Sequence, residues 1–171
     1  MSDFVLHALT VGGGILALCP LPGQGGDYAA DLEHLKEWKP SLLISLTTDV
    51  EFVAAKVTSL GADMQDAGCR WVHLPIEDFG LPDGGFLEKW PEVSKAALAA
   101  LSGGGRVLVH CKGGCGRSGM VVMRLMVAAG EKPDAALERL RHTRPCAIET
   151  DDQMVWARTG RVPKASEPRQ L

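Results

Sequence analysis

The chain has 171 residues, 46% of them hydrophobic and 23% charged, with a net charge of −3. That is enough chain to bury one core, too apolar for a disordered protein, and lacking the basic excess that draws a protein to nucleic acid or to an anionic membrane surface. No nucleic-acid partner is expected, and any affinity for anions must come from a local site.

Near the start, Asp3 stands where a basic leader would begin and glycines interrupt the apolar run, so no export signal is expected and a cytoplasmic location is. Ile15 to Cys19 reads as a short buried strand, and Asp27 to Trp38 as a helix closed by Pro40. Ser41 to Leu46 gives a second strand, Asp49 to Leu60 a helix ended by Gly61, and Arg70 to Leu74 a third strand. Phe86 to Leu101 is helical up to the Gly103-Gly104-Gly105 turn, and Arg106 to His110 is a fourth strand. Three helices follow: Ser118 to Ala129, Asp134 to His142 and Asp151 to Thr159.

This alternation predicts an α/β fold, a single domain over 1–160 with a central, mostly parallel, twisted sheet flanked by helices on both faces. Residues 161–171, with Pro163 and Pro168, read as a disordered tail. No membrane insertion is expected: the most apolar helix, Met120 to Ala129, is short and carries Arg124. The five cysteines are odd in number and make no disulfide framework; Cys19 and Cys69 read as small core residues.

The chemistry concentrates in His110-Cys111-Lys112-Gly113-Gly114-Cys115-Gly116-Arg117-Ser118. A strand, a glycine-rich loop and a helix in succession aim consecutive backbone N–H groups at one point, at the positive end of a helix dipole, where anions bind. Gly113, Gly114 and Gly116 let the backbone curl into a cradle, and Arg117 offers a planar fork to two phosphate oxygens. Cys111 lies at the floor of this nest, whose positive field favours the nucleophilic thiolate.

Other readings fit less well. A nucleotide-binding loop needs glycine where Cys111 stands and lysine where Arg117 stands. A zinc site from His110, Cys111 and Cys115 with His142 or Cys146 has no familiar ligand spacing, and it leaves Arg117 without a task. No metal and no cofactor are expected.

HCKGGCGRS, with five residues between Cys111 and Arg117, resembles the HCxxGxxR[ST] signature of protein tyrosine and dual-specificity phosphatases. Leu16-Ala17-Leu18-Cys19-Pro20-Leu21-Pro22-Gly23 is similar to the first strand and loop of kinase-associated phosphatase relatives. Arg144-Pro145-Cys146-Ala147-Ile148-Glu149-Thr150 is similar to the RPxxIET segment of small atypical dual-specificity enzymes. The resemblance implies the phosphotyrosine protein phosphatase-like fold and a metal-free, two-step hydrolysis of phosphate monoesters. In it Cys111 attacks phosphorus and Asp78, in Pro75-Ile76-Glu77-Asp78-Phe79, is the general acid, with Glu77 and Asp83 as rivals in the same loop. Asp83 better suits the Pro82-Asp83-Gly84 turn.

By the same resemblance, Arg117 and the amides of Lys112, Gly113, Gly114, Cys115 and Gly116 bind the phosphate, Ser118 assists the leaving thiolate, and His110 supports the loop. Gln153 would position the hydrolytic water, although Thr150-Asp151-Asp152-Gln153 also fits a helix capping box. Cys115 raises the alternative of a reversible disulfide with Cys111, against which the tight local geometry argues. Arg139, Arg141 and Arg144 are read as solvated helix charges rather than a basic rim.

The expected substrate is a phosphoprotein, a kinase in the branch that includes kinase-associated phosphatases. Tyr28, the only tyrosine, falls at a helix start, so no tyrosine walls a deep cleft, and phosphoserine and phosphothreonine are expected substrates beside phosphotyrosine. Lys112 admits an alternative, a phosphoinositide or inositol phosphate, although Cys115 stands where relatives of that kind carry a second lysine. The non-enzyme alternative is a catalytically silent phosphate-binding module.

Overall fold

A computed structural model describes residues 4–164. Its elements in chain order are β1 (His7–Val11), β2 (Gly14–Cys19), α1 (Tyr28–Trp38), β3 (Leu42–Ser45), α2 (Asp49–Ala55), α3 (Leu60–Asp66), β4 (Arg70–His73), α4 (Gly84–Ser102), β5 (Arg106–His110), α5 (Gly116–Ala128), α6 (Pro133–Thr143) and α7 (Asp151–Thr159). The five strands form one sheet in the order β1-β2-β5-β3-β4. Every pairing is parallel except the hairpin of β1 with β2. The expected α/β architecture is therefore the one observed.

Strand periodicity decides what packs where, because alternate side chains leave opposite faces of a sheet. Val107 and Val109 of β5, with Leu16, Leu18, Leu42 and Ile44, join the larger core, which α4, α5, α6 and α7 cover. Leu108, with Ala17, Cys19 and Leu43, joins a second core under α1, α2 and α3. A strand buried on both faces reads as a continuous apolar run, and the Val107-Leu108-Val109 stretch is one.

Three features depart from expectation. Strand β1 was not among the expected elements; Gly12 and Gly13, at φ 59° and 98°, make the two-residue turn that lets it fold back on β2. The helix expected over Asp49 to Leu60 is two helices. Lys56 ends α2 in a left-handed conformation, and the break lets Val57 and Leu60 both reach the core. Gly61, expected as a terminator, instead lies inside α3, where a Cβ would come within 2.5 Å of the Trp71 indole. Finally, Val162 of the expected tail packs against the larger core. The rest of that tail, from 165 on, lies outside the described residues.

The parallel strands β2, β3 and β5 end in register, with His110 opposite both Cys19 and Ser45. In open α/β sheets the crevice beyond the carboxyl ends of the strands is where ligands bind, and the Cys111 loop leaves the sheet there.

Candidate active site

His110 closes β5 completely buried. Its Nδ1 lies 3.1 Å from the Cys111 carbonyl and its Nε2 2.6 Å from the Ser45 hydroxyl. A carbonyl only accepts, so Nδ1 carries the proton and Nε2 accepts from Ser45. Ser45 in turn accepts from the indole N–H of Trp71 at 2.9 Å. Burial holds the imidazole neutral by lowering its pKa to about 4, against a smaller opposing effect of the Cys111 carbonyl. The ring thus links Ser45 of β3, itself bonded to Trp71 of β4, to the backbone of Cys111.

Cys111 is 2% exposed, and its Sγ lies 3.2 Å from the Ser118 hydroxyl on the first turn of α5. The loop that follows is held by its carbonyls. Lys112 O accepts from the Leu21 N–H at 3.0 Å and from the Gln24 side-chain amide. Gly113 O and Gly114 O accept from the two arms of Arg144, each at 3.0 Å. Cys115 O accepts from the Gly119 and Ile148 N–H groups. Each trans peptide carries its N–H opposite its carbonyl, so drawing these carbonyls outward turns the N–H groups of Gly113 through Gly116 toward the centre of the loop. Gly114 is required twice over: its φ is +72°, and a Cβ there would stand 2.7 Å from Pro20 N.

Arg117, the second residue of α5, is only 2% exposed, and Glu51 of α2 grips its guanidinium with both oxygens, at 2.6 and 2.8 Å. Nη1 also donates to Ile76 O at 2.8 Å, and Nη2 lies 3.4 Å from Asp78 Oδ1. Burial pushes the Glu51 carboxyl up, but hydrogen bonds from Arg117 and Thr48 and the guanidinium charge outweigh it and hold the pKa at about 2. Glu51 is anchored because Thr48 and Glu51 form a reciprocal capping box at the start of α2. Asp78 itself lies on the loop after β4, its side chain 55% exposed, with Oδ1 accepting from the Phe79 N–H. Asp83 is not in a free turn: it caps α4 by accepting from the Phe86 N–H at 2.9 Å.

Nothing in the sequence singles out Ser45 or Glu51 for this assembly, and Arg144 and Cys146, expected as a solvated charge and as a rejected zinc ligand, take other roles in it. Cys115 is bonded to Cys146 in a disulfide spanning 31 residues, with Cα atoms 5.2 Å apart. This corrects the expectation of no disulfide and replaces the weighed Cys111–Cys115 pairing; Cys111 is free, and the Cys115 side chain turns toward the 144–150 segment. Cys19 and Cys69 are core thiols as expected, and burial raises both, Cys69 to about 11. Closing a loop of this size restricts the unfolded chain, so Cys146→Ser is expected to lower unfolding free energy by about 2–4 kcal/mol in a denaturant titration under non-reducing conditions. Non-reducing peptide mapping should recover the linked pair from the wild type.

Arg139, Arg141 and Arg144 each keep part of their surface in solvent, as expected, and each also binds backbone carbonyls. Arg144 braces the loop, and Arg141 donates to Ala147 O and Ile148 O at 3.0 and 3.1 Å. Arg139 donates to Thr10 O at 2.8 Å and pairs with Glu131. Lys112 is exposed and lines a groove with Gln24, Val50, Glu51 and Ala54. Tyr28 is held by Asp63, 2.6 Å from its hydroxyl, and is no wall of the site. Gln153 is fully buried and reaches the underside of the Asp78 loop: its Nε2 donates to Gly80 O, while Oε1 accepts from the Glu149 and Thr150 N–H groups. The structure thus commits the amide to backbone partners rather than to the mouth of the cleft.

A nucleophilic thiol, a ring of inward N–H groups and a fixed guanidinium suit transfer of a phosphoryl group to sulfur without metal. Comparison with known proteins agrees. The family model described as PTP-SAK, Swiss Army Knife protein, DSP-PTPase phosphatase domain, matches residues 25–170. Cyclin-dependent kinase inhibitor 3 of Homo sapiens is 30% identical over 146 residues, covering 81% of this chain and 68% of that protein. Protein tyrosine phosphatase type IVA 3 of Homo sapiens is 30% identical over 119 residues, covering 70% of this chain and 64% of that protein. Among solved structures, kinase associated phosphatase superposes with a TM-score of 0.78 at 26% identity, covering 92% of this chain and 93% of that one. Within the described residues no helix is long and apolar enough to cross a membrane. Sequence signature, loop geometry and relatives converge: the chain belongs to the dual-specificity and protein tyrosine phosphatase superfamily, and is a cysteine-dependent protein phosphatase with kinase-associated phosphatase affinity.

Proposed function

We propose that this phosphatase hydrolyses phosphotyrosine and phosphoserine or phosphothreonine in protein substrates, a kinase among them, with Cys111 as nucleophile and Asp78 as general acid. The carrying observation is the placement of three groups: Cys111 Sγ at the floor of the loop, Arg117 fixed beside it by Glu51, and Asp78 3.4 Å from that guanidinium. In the first step the thiolate donates an electron pair to phosphorus, the P–O bond to the substrate breaks, and the departing oxygen takes a proton from Asp78. The Arg117 fork and the N–H groups of the loop carry the charge of the three equatorial oxygens. In the second step Asp78, now ionised, takes a proton from water as the water oxygen bonds to phosphorus and the P–S bond breaks. Ser118 donates a hydrogen bond to the departing thiolate across the 3.2 Å contact.

Breadth of substrate follows from the rim. Val50, 77% exposed, shares a groove with Lys112, Phe79 beside Asp78 is 61% exposed, and Tyr28 is held away by Asp63, so no tyrosine is at hand to deepen the cleft against the short arms of phosphoserine and phosphothreonine. Kinase associated phosphatase, by its name, acts in company with a kinase, and the likeness of this chain to it supports a kinase as substrate. Phosphopeptides of one sequence differing only in the phosphorylated residue should be turned over with kcat/KM within about tenfold of one another; loss of serine and threonine turnover by more than about 10³-fold would restrict the enzyme to phosphotyrosine. The cytoplasm remains our reading of its place of action. There the Cys115–Cys146 bond is open to reduction by the thiol pool, and the Arg144 hydrogen bonds hold the loop independently of it.

A further inference from the structure

Asp78 rides on a short exposed turn. Gly80 N–H closes the turn on Glu77 O at 2.7 Å, and Phe79 adopts a left-handed φ of 58° with its ring out in solvent. At its near end, Arg117 holds Ile76 O at 2.8 Å. At its far end, Gln153 holds Gly80 O at 3.1 Å, reaching up from the first turn of α7. The orientation of that amide is dictated by its partners, since Oε1 meets two N–H donors, of Glu149 at 3.0 Å and Thr150 at 3.3 Å, and only Nε2 is left to donate to a carbonyl.

We infer that Gln153 is a positioning residue for the general acid: its amide bolts the Asp78 turn to the segment that also braces the phosphate loop. This rests on Asp78 being the acid. Arg144, Ile148 and Cys146 from the stretch preceding α7 all contact the phosphate loop, so Gln153 and Arg117 together tie the acid turn, at both ends, to the frame that holds the nucleophile. A carboxylic acid on an exposed turn protonates a leaving oxygen well only when its reach is fixed to a fraction of an ångström.

Gln153→Glu separates this tether from the helix cap. Glutamate serves a capping box as well as glutamine does, so the bonds from Glu149 and Thr150 survive while the donor to Gly80 is lost. With phenyl phosphate, whose leaving group needs a proton, kcat/KM, which reports the first step alone, is expected to fall about tenfold, a part of the 10²–10⁴ that a general acid supplies. With 2,4-dinitrophenyl phosphate, whose leaving group departs unprotonated, kcat/KM should stay within about twofold. Gln153→Met, of similar volume and without donor or acceptor, should show the same steepened leaving-group dependence and serves if the glutamate variant does not fold.

Asp78→Asn is the reference. If it leaves the leaving-group dependence unchanged, Asp78 is not the acid and the underlying reading fails. If Asp78→Asn steepens the dependence and both Gln153 variants leave it flat, the tether is overturned while the acid stands. Equal losses of kcat/KM on both substrates would also overturn it, because the loss would then not depend on protonation of the leaving group.

Discussion

Cys111→Ser is expected to lower turnover of 4-nitrophenyl phosphate by at least about 10⁴-fold while leaving the fold and phosphate binding in place. The hydroxyl fits where the thiol stood, because the site is 2% exposed and Ser118 Oγ, 3.2 Å away, is a ready partner for it. What is lost is the nucleophile: a serine hydroxyl beside a neutral, hydrogen-bonded His110 has no base to activate it, whereas a thiolate needs none. Arg117 and the loop N–H groups do not depend on the sulfur, so the variant should retain phosphopeptide in a pull-down or a titration. A Cys111→Ser protein that still turns over under reducing conditions would place the nucleophile elsewhere.

Glu51→Gln is expected to cost both activity and stability. The carboxylate grips both arms of a guanidinium that is itself buried, and one amide in its place leaves that charge only the exposed Asp78 carboxylate, 3.4 Å away, as counter-ion. The fork then loses its orientation toward the phosphate, and kcat/KM should fall about 10²-fold. For stability, the folded pKa of Glu51, about 2, lies below its ordinary value of 4.5. A lowered pKa contributes stability that is fully present above pH 4.5 and is lost as pH falls through about 2. The pair is worth on the order of 3 kcal/mol by this linkage, so the variant should unfold more easily at neutral pH and the difference from wild type should shrink between pH 4.5 and 2. Urea titrations at pH 7 and pH 3 measure it; a gap that does not narrow at pH 3 would separate Glu51 from the charge pair.

The two residues differ in how they were found. Cys111 stands in nine contiguous residues whose glycines, arginine and serine all report on one local shape, strand to loop to helix, and such a shape is written in neighbouring positions. Glu51 meets Arg117 from a separate helix, and in the chain it shows only as the third residue of a capping box with Thr48. That motif involves Oε1 alone and carries no sign of the Arg117 bonds to both oxygens. Gln153 was similar, its capping role legible in Thr150-Asp151-Asp152-Gln153 and its bond to Gly80 not.

Among the secondary elements, short apolar runs marked the parallel strands: β2, β3 and β5 are buried on both faces, and β4, at the sheet edge, keeps the apolar Trp71 and Val72 half-buried. The edge strand β1 alternates between buried and exposed positions, and its one clear sign was the Gly12-Gly13 turn. The split of α2 from α3 escaped because both halves are helical by pattern, and only the need of Val57 and Leu60 for the core decides where the chain turns.

By itself the sequence determined the α/β alternation and the strand-loop-helix segment that carries Cys111 and Arg117, because each depends on residues close together along the chain. The tertiary structure alone decided that Glu51 carries Arg117, that Arg144 and the Cys115–Cys146 bond brace the loop from outside, and that Gln153 reaches the Asp78 turn. These are contacts between segments tens of residues apart, set by how α2, α6 and α7 pack around the sheet, and a linear pattern carries no record of which distant side chain arrives at a given carbonyl.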